Sequence, residues 1–269
     1  MRHISGKNIE IDPKKNTAIT IGKFDGLHKG HMALISKLKE VAADRNLATT
    51  VLSFTPHPRG VLDNKDIPLI LSKHEKLHLL SQLNLDYYIE YPFTHQFAQI
   101  SPENFIQNVV LKQLRGQALI VGEHFRFGCN GRGNAALANE LGVDLGLHVH
   151  TMPLVTGKDA AQISSGAIRQ LILAKDFNGA TQACGRNFFV MGHVVHGKKK
   201  GREMGFPTAN IVPPKDKLLP PVGVYHTTTF VENIGHFSSI TNVDEMAVNT
   251  HLVGFDGDLY GHIIRVDFL

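Results

Sequence analysis

The chain has 269 residues, 42% of them hydrophobic and 19% charged, with a formal net charge of +4 and two cysteines. That length supports two modest domains, each with its own core, and the composition is that of a soluble globular protein. No apolar run is long enough to span a bilayer, Met1–Lys7 lacks the apolar stretch of a secretion signal, and Cys129 and Cys184 have neither disulfide-framework nor metal-ligand spacing, so a reducing cytoplasm is expected. The basic balance suits a polyanionic small ligand and would equally suit RNA. Against RNA, the basic residues are scattered apart from Lys198-Lys199-Lys200, and no stripe of aromatics accompanies them.

In chain order, an apolar strand over Thr17–Ile21 runs directly into Gly22-Lys23-Phe24-Asp25-Gly26-Leu27-His28-Lys29-Gly30-His31. Over residues 32–43, Met32, Leu34, Ile35, Leu38, Val41 and Ala42 fall near the i, i+3, i+4, i+7 spacing of an amphipathic helix. Strand, glycine-rich turn and helix in that order aim main-chain N–H groups and the positive end of the helix dipole at an anion. Gly22, Gly26 and Gly30 let the backbone approach a phosphate closely. His28 and His31, on one face of the first turn, can donate to phosphate oxygens as charge builds there. Isolated histidines near a turn are usually surface or core residues. Here the flanking elements point to a phosphate-handling site, with Lys23 as a further phosphate contact.

Further strands over Thr49–Phe54, Tyr87–Tyr91, Ala118–Val121 and His148–Met152 alternate with helical segments. This predicts an α/β domain with a mainly parallel sheet and ligands at the carboxyl ends of its strands. Phe54-Thr55-Pro56-His57-Pro58 follows the second strand; its prolines stiffen a loop that serves a site or simply ends the strand. Gly122-Glu123-His124-Phe125-Arg126-Phe127-Gly128 follows the fourth strand-like run. Its aromatics are either core packing or the flanks of a flat ring system, with Arg126 meeting a phosphate. Ile163-Ser164-Ser165-Gly166-Ala167-Ile168-Arg169 opens a helix, with serine as an N-cap or as part of a phosphate clamp with Arg169.

From about Gly185 the texture changes to short β-rich runs separated by Gly, Pro and Asn/Asp turns: Phe189–Val195, Ala209–Val212, Gly223–Phe230, Ser239–Val243, Thr250–Gly254 and Gly261–Phe268. That predicts a small antiparallel barrel.

The first motif resembles the HxGH signature of nucleotidylyltransferases, and in its longer form GxFDGxHxGH that of the bacterial bifunctional riboflavin kinase/FAD synthetase family. Phe54–Pro58 is similar to the FxPHP loop of that family, and Ile163–Arg169 to an ISSTxIR motif with Gly166 in place of Thr. His124 stands where the family usually carries an acidic residue or Asn. The resemblance covers residues 15–183 and implies a Rossmann-like α/β nucleotidylyltransferase domain over 1–184 that transfers AMP from ATP to FMN with Mg²⁺. It implies His28, His31 and Arg169 as catalytic; Gly22, Lys23, Phe24, Asp25, Gly26, Gly30, Ser164 and Ser165 as further ATP contacts; and Phe54, Pro56, His57, Pro58, His124, Phe125, Arg126 and Phe127 as flavin contacts.

Residues 185–269 resemble a riboflavin-kinase-type barrel through Gly192–Gly197, Gly201–Asn210 with its PTAN stretch, and Gly254–Gly261 with its DLYG stretch. In that family Thr208 and Asn210 hold metal and ATP phosphate, Thr208 being the metal ligand. Three departures imply a degenerate, truncated module. Asn249 occupies the place of the glutamate that acts as general base, eleven residues before Tyr260. The loop after Val243 is shortened and lacks the family's Pro-Thr turn, and the sequence ends at Leu269 where the family continues into a helical tail. An amide cannot take a proton from a hydroxyl at neutral pH, and Glu245 is the nearest alternative carboxylate considered as a base.

The reading is therefore an FMN adenylyltransferase with a silent kinase module. A fully bifunctional enzyme and a non-catalytic flavin- or nucleotide-binding regulator, acting on RNA through Lys198–Lys200, are the alternatives.

Overall fold

The computed structural model describes residues 1–156, 162–196 and 208–269. Lys198–Lys200 and residues 201–207, which precede Thr208, lie outside the described residues. The chain forms two compact packing units, Met1–Ile67 with Leu77–Gln162, and Pro68–Lys76 with Ile163–Leu269.

The first unit is built on β1 (Arg2–Ser5), β2 (Thr17–Ile21), β3 (Ala48–Thr55), β4 (Tyr87–Pro92), β5 (Gly116–Gly122), the short pair β6 (Arg126–Phe127) and β7 (Gly133–Asn134), and β8 (His148–Met152). Six of these form one parallel sheet in the order β1-β4-β3-β2-β5-β8. All of β2 is buried, as a strand covered on both faces requires. With the edge strand β1 set aside, the order reverses direction between β2 and β5, the topological switch point at which open α/β sheets bind ligands. The edge strand was not expected from sequence: it is four residues long and mostly exposed, so it carries no hydrophobic pattern.

Helices of the chain up to the second half are α1 (Lys29–Asp44), α2 (Pro58–Asp63), α3 (Lys73–Ser81), α4 (Pro102–Asn104), which runs into a π-helical stretch over Phe105–Gln113, and α5 (Ala135–Leu145). Helix α1 buries Ile35, Leu38, Val41 and Ala42 against β2, β3 and β5. The opposite sheet face presents Ile19, Ile21, Leu52, Ile89, Leu119 and Val121 to a core shared with Phe105, Ile106, Val109 and Val110.

The second unit contains α6 (Ser165–Leu173), α7 (Phe177–Cys184) and strands β9 (Phe189–His193), β10 (Ala209–Ile211), β11 (Gly223–Val231), β12 (Gly235–Val243), β13 (Val248–Leu252) and β14 (Ile263–Phe268). The antiparallel order is β10-β13-β12-β11-β14-β9, and the sheet nearly closes where the Val195 N–H donates to the Asn210 carbonyl at 2.9 Å. Ile168, Ile172, Phe177 and Ala180 share the barrel's core, and Phe177 packs its ring on Phe268, Phe188 and Tyr225. Helices α6 and α7 therefore pack with the barrel.

Strand β13 departs from the expected Thr250–Gly254. Val248, Thr250 and Leu252 alternate inward, which starts the strand two residues earlier and leaves Gly254, at φ 75, in the following turn. Asn249 thus stands inside a strand, in register with Asn210 on β10 and Asn242 on β12.

Candidate active site

The three loops singled out in the first half leave the carboxyl ends of neighbouring strands. Ile21 pairs with Leu52 across β2–β3, and Thr20 with Ile120 across β2–β5. Residues 22–30, 54–58 and 122–128 therefore start side by side along the switch-point edge.

The loop between β2 and α1 is conformationally strained. Phe24 (φ 48) and Leu27 (φ 40) adopt left-handed backbone, and both side chains are fully buried. Such positions cost about 1–3 kcal/mol each and persist only where packing over-determines them. Glycine supplies the third turn at Gly26, φ 86. The result delivers His28 to the N-cap of α1, where its Nδ1 accepts from the His31 N–H at 3.4 Å. That bond places the ring proton of neutral His28 on Nε2, so the imidazole presents a donor. The two imidazoles stack at 3.7 Å with planes 19° apart, and His31 also packs against Phe24 at 5.0 Å. Ser53 on β3 donates to the Lys23 carbonyl at 3.1 Å and ties the loop to the sheet.

Gly30 has a second reason to lack a side chain. A Cβ there would stand 3.2 Å from Cε1 and Nδ1 of His28. Gly30→Ala is therefore expected to lower the turnover number about tenfold by displacing the ring, while alanine's better helix propensity holds thermal stability level or raises it. Kinetics and thermal unfolding of the one variant check both halves; an unchanged turnover number sinks the argument.

The proposed flavin contacts divide. Phe54 and Phe125 are partly buried, whereas Phe127 is core. They belong to one run of rings: Phe54 meets Phe93 and Phe97, Phe97 meets Phe105, Phe105 meets Phe127, and Phe127 stacks on Phe125 at 5.2 Å. Sequence reasoning missed Phe93 and Phe97, which belong to no motif. Gly133 keeps Phe127 in place, since a Cβ there would come within 2.7 Å of its ring. Arg126 and His124 are exposed, on the opposite side of the short β6 from Phe127 in the arginine's case. His57 caps α2, its Nδ1 accepting from the Arg59 N–H at 3.2 Å, with Pro58 in the first turn.

Ser164, Ser165 and Arg169 lie in the second packing unit. Ser164 is the N-cap of α6 and accepts from the Ala167 N–H at 3.2 Å. Arg169 donates from Nε to the Pro68 carbonyl at 2.7 Å.

Family models match both halves, FAD synthetase over residues 10–167 and riboflavin kinase over 184–269. Bifunctional riboflavin kinase/FMN adenylyltransferase from Escherichia coli strain K12 is 34% identical over 269 aligned positions, covering 96% of this chain and 85% of the relative. This chain belongs to that family. The Listeria monocytogenes member is 31% identical, covering 91% of this chain and 81% of its own length. A solved structure described as a macrolide-efflux protein from Streptococcus pneumoniae superposes with TM-score 0.86 over 100% of this chain and 90% of its own, at 24% identity. That likeness is one of fold. No helix among the described residues is long and apolar enough to cross a membrane.

The kinase-type residues of the barrel gather on adjacent strands. Asn210 and Asn249 are cross-strand partners, and the Asn210 amide donates to the Thr208 carbonyl at 3.4 Å. The Asn249 amide donates to Asp244 Oδ2 at 3.2 Å. Asp244 is itself bound to the turn it opens, its Oδ1 accepting from the N–H groups of Met246 and Ala247. Glu245 is exposed at the tip of the same turn. Within DLYG, the Tyr260 ring packs against His196 at 3.8 Å with the planes tilted by 32°, and the Tyr260 N–H donates to Asp258.

Proposed function

We propose that residues 1–184 make FAD and pyrophosphate from FMN and ATP, and that the riboflavin kinase activity of the barrel, residues 185–269, is lost. The observation that carries the first half is the stacked His28–His31 pair at the N-terminus of α1, on the edge where the sheet order reverses.

The chemistry asks for placement and charge stabilisation. The FMN phosphate is already an anion at neutral pH and attacks the α-phosphorus of ATP directly. The bond to the β-phosphate oxygen breaks, and pyrophosphate leaves with that electron pair. No side-chain nucleophile is needed. The Nε2–H of His28, the His31 ring and the first N–H groups of α1 meet the charge that grows on the transferred phosphoryl oxygens. Arg169 takes the departing phosphates, and Phe54 and Phe125 flank the flavin ring.

Mg²⁺ fits this donor set in one way. Among the described residues no three His, Cys, Asp or Glu side chains converge as a metal site. Apart from the buried Asp25, the groups offered are cations and neutral donors to phosphate, so the ion would ride on the ATP phosphates and offset their mutual repulsion. In the barrel, Thr208 is the residue that would hold it.

Loss of the kinase rests on Asn249 and on the commitment of its amide to Asp244. Asp244 is no substitute base, because its oxygens are taken up by the Asn249 amide and the N–H groups of Met246 and Ala247. The bifunctional reading draws support from the riboflavin kinase match and from the pairing of Asn210 with Asn249.

The test is separation of flavin products after incubating purified protein with Mg²⁺–ATP and either riboflavin or FMN, the latter oxidised in air and reduced without oxygen. FAD from FMN and nothing from riboflavin is the expected result. FMN or FAD from riboflavin would establish the bifunctional reading. No product in any arm would leave a flavin- or nucleotide-binding regulator.

A further inference from the structure

The chain enters the second packing unit twice. Residues Pro68–Lys76 leave the first unit, pack with the barrel, and the chain then returns before crossing again at Ile163. Nine residues of the adenylyltransferase half are thus built into the kinase-type unit.

Their fastening is a buried ion pair. Lys217 Nζ lies 2.8 Å from Glu75 Oε2, with both side chains at most 1% exposed. Lys217 also donates to the Ile70 carbonyl at 2.6 Å and the Phe189 carbonyl at 3.0 Å, so its three N–H groups all reach acceptors. The Glu75 carboxylate accepts from the Ser72 N–H at 2.8 Å and, through its other oxygen, from the Met191 N–H on β9 at 2.9 Å. The Glu75 N–H returns to Ser72 Oγ at 3.3 Å, completing a capping box at the start of α3. Leu69 adds main-chain bonds to Asp216 and Leu218, at 2.6 and 2.7 Å.

A buried pair of this kind contributes little net stability over an apolar replacement; its value lies in forcing one arrangement. What it arranges is the chain around Pro68, whose carbonyl accepts from Arg169 Nε. That bond ties the guanidinium to the strap.

We propose that, within the second packing unit, the Glu75–Lys217 pair fixes the 68–76 strap so that the Pro68 carbonyl orients Arg169 for the phosphates of ATP. This rests on the reading of Arg169 as an ATP phosphate ligand. Glu75 and Lys217 are positioning residues.

The test uses the full chain and separates three variants by steady-state FAD formation, with KM measured for ATP and for FMN and thermal unfolding followed alongside. Glu75→Gln combined with Lys217→Met replaces the pair by neutral side chains of similar volume. It is expected to fold, to raise KM for ATP about tenfold, and to leave KM for FMN unchanged, because only one substrate's anchor is loosened. Glu75→Asp keeps the charge and shortens its reach; a smaller rise in KM for ATP alone is expected, and this variant decides should the double one not fold. Arg169→Ala tests the underlying reading, with a larger rise in KM for ATP expected. Folded Glu75 variants with wild-type KM for ATP, beside an impaired Arg169→Ala, would overturn the positioning proposal and spare the role of Arg169. An Arg169→Ala enzyme with unchanged KM for ATP would overturn both.

Discussion

His31→Ala is expected to lower the turnover number for FAD formation by ~10²–10³-fold, the usual loss when one preorganised donor to developing negative charge is removed. The fold should barely notice. The cap of α1 runs from the His31 main-chain N–H to His28 Nδ1, and an alanine at that position keeps the N–H. What disappears is the ring stacked at 3.7 Å on His28 and its contact with Phe24. His28→Ala gives the contrasting case. It removes a donor and the cap together, so a comparable loss of rate is joined by about 1 kcal/mol of lost stability. Turnover number and thermal midpoint, measured on both variants, separate the two roles. A His31→Ala enzyme within threefold of the parent would end the assignment of this pair to the reaction.

Riboflavin phosphorylation offers the second large effect, as a gain. Asn249 lies on β13 in register with Asn210, where the resemblance places the general base, and its amide is spent on Asp244. Asn249→Glu alone would set a carboxylate against Asp244 at close range, and the like charges would repel. Combined with Asp244→Asn, the new amide can donate to the new carboxylate, and its oxygen can still accept from Met246 and Ala247 as Asp244 does. General-base catalysis is typically worth ~10²–10⁴-fold, so the double variant should form FMN from riboflavin and ATP at that multiple of the parent's background. Radiolabel transfer from γ-labelled ATP gives the sensitivity needed. A parent that already phosphorylates riboflavin as fast as it adenylylates FMN would show that Asn249 is no defect.

The loop proposed to hold phosphate was legible without coordinates because its geometry is local. A strand, three glycines and two histidines spaced for one helical turn occupy fifteen consecutive positions, Thr17–His31, and the geometry follows from that order. The barrel could be read for a similar reason, since short alternating runs and turn residues specify hairpins such as β11–β12. The run of rings proposed to flank the flavin was half legible. Phe54 and Phe125 sit in motifs, but Phe93 and Phe97, which join them into one run of rings, sit in a turn without periodicity. The β13 boundary slipped by two residues because Asn249, a residue type depleted in strands, separates Val248 from Thr250.

By itself the sequence determined the parallel α/β sheet, the antiparallel barrel after it and the family, all of which depend on neighbours in the chain. Only the tertiary structure decided what holds those parts. Arg169 meets Pro68, Glu75 meets Lys217, and helices α6 and α7 pack with the barrel. Contacts between residues distant in the chain leave no period and no turn signal along it. Their energy depends on burial and on the full set of partners, and both exist only once the chain has folded.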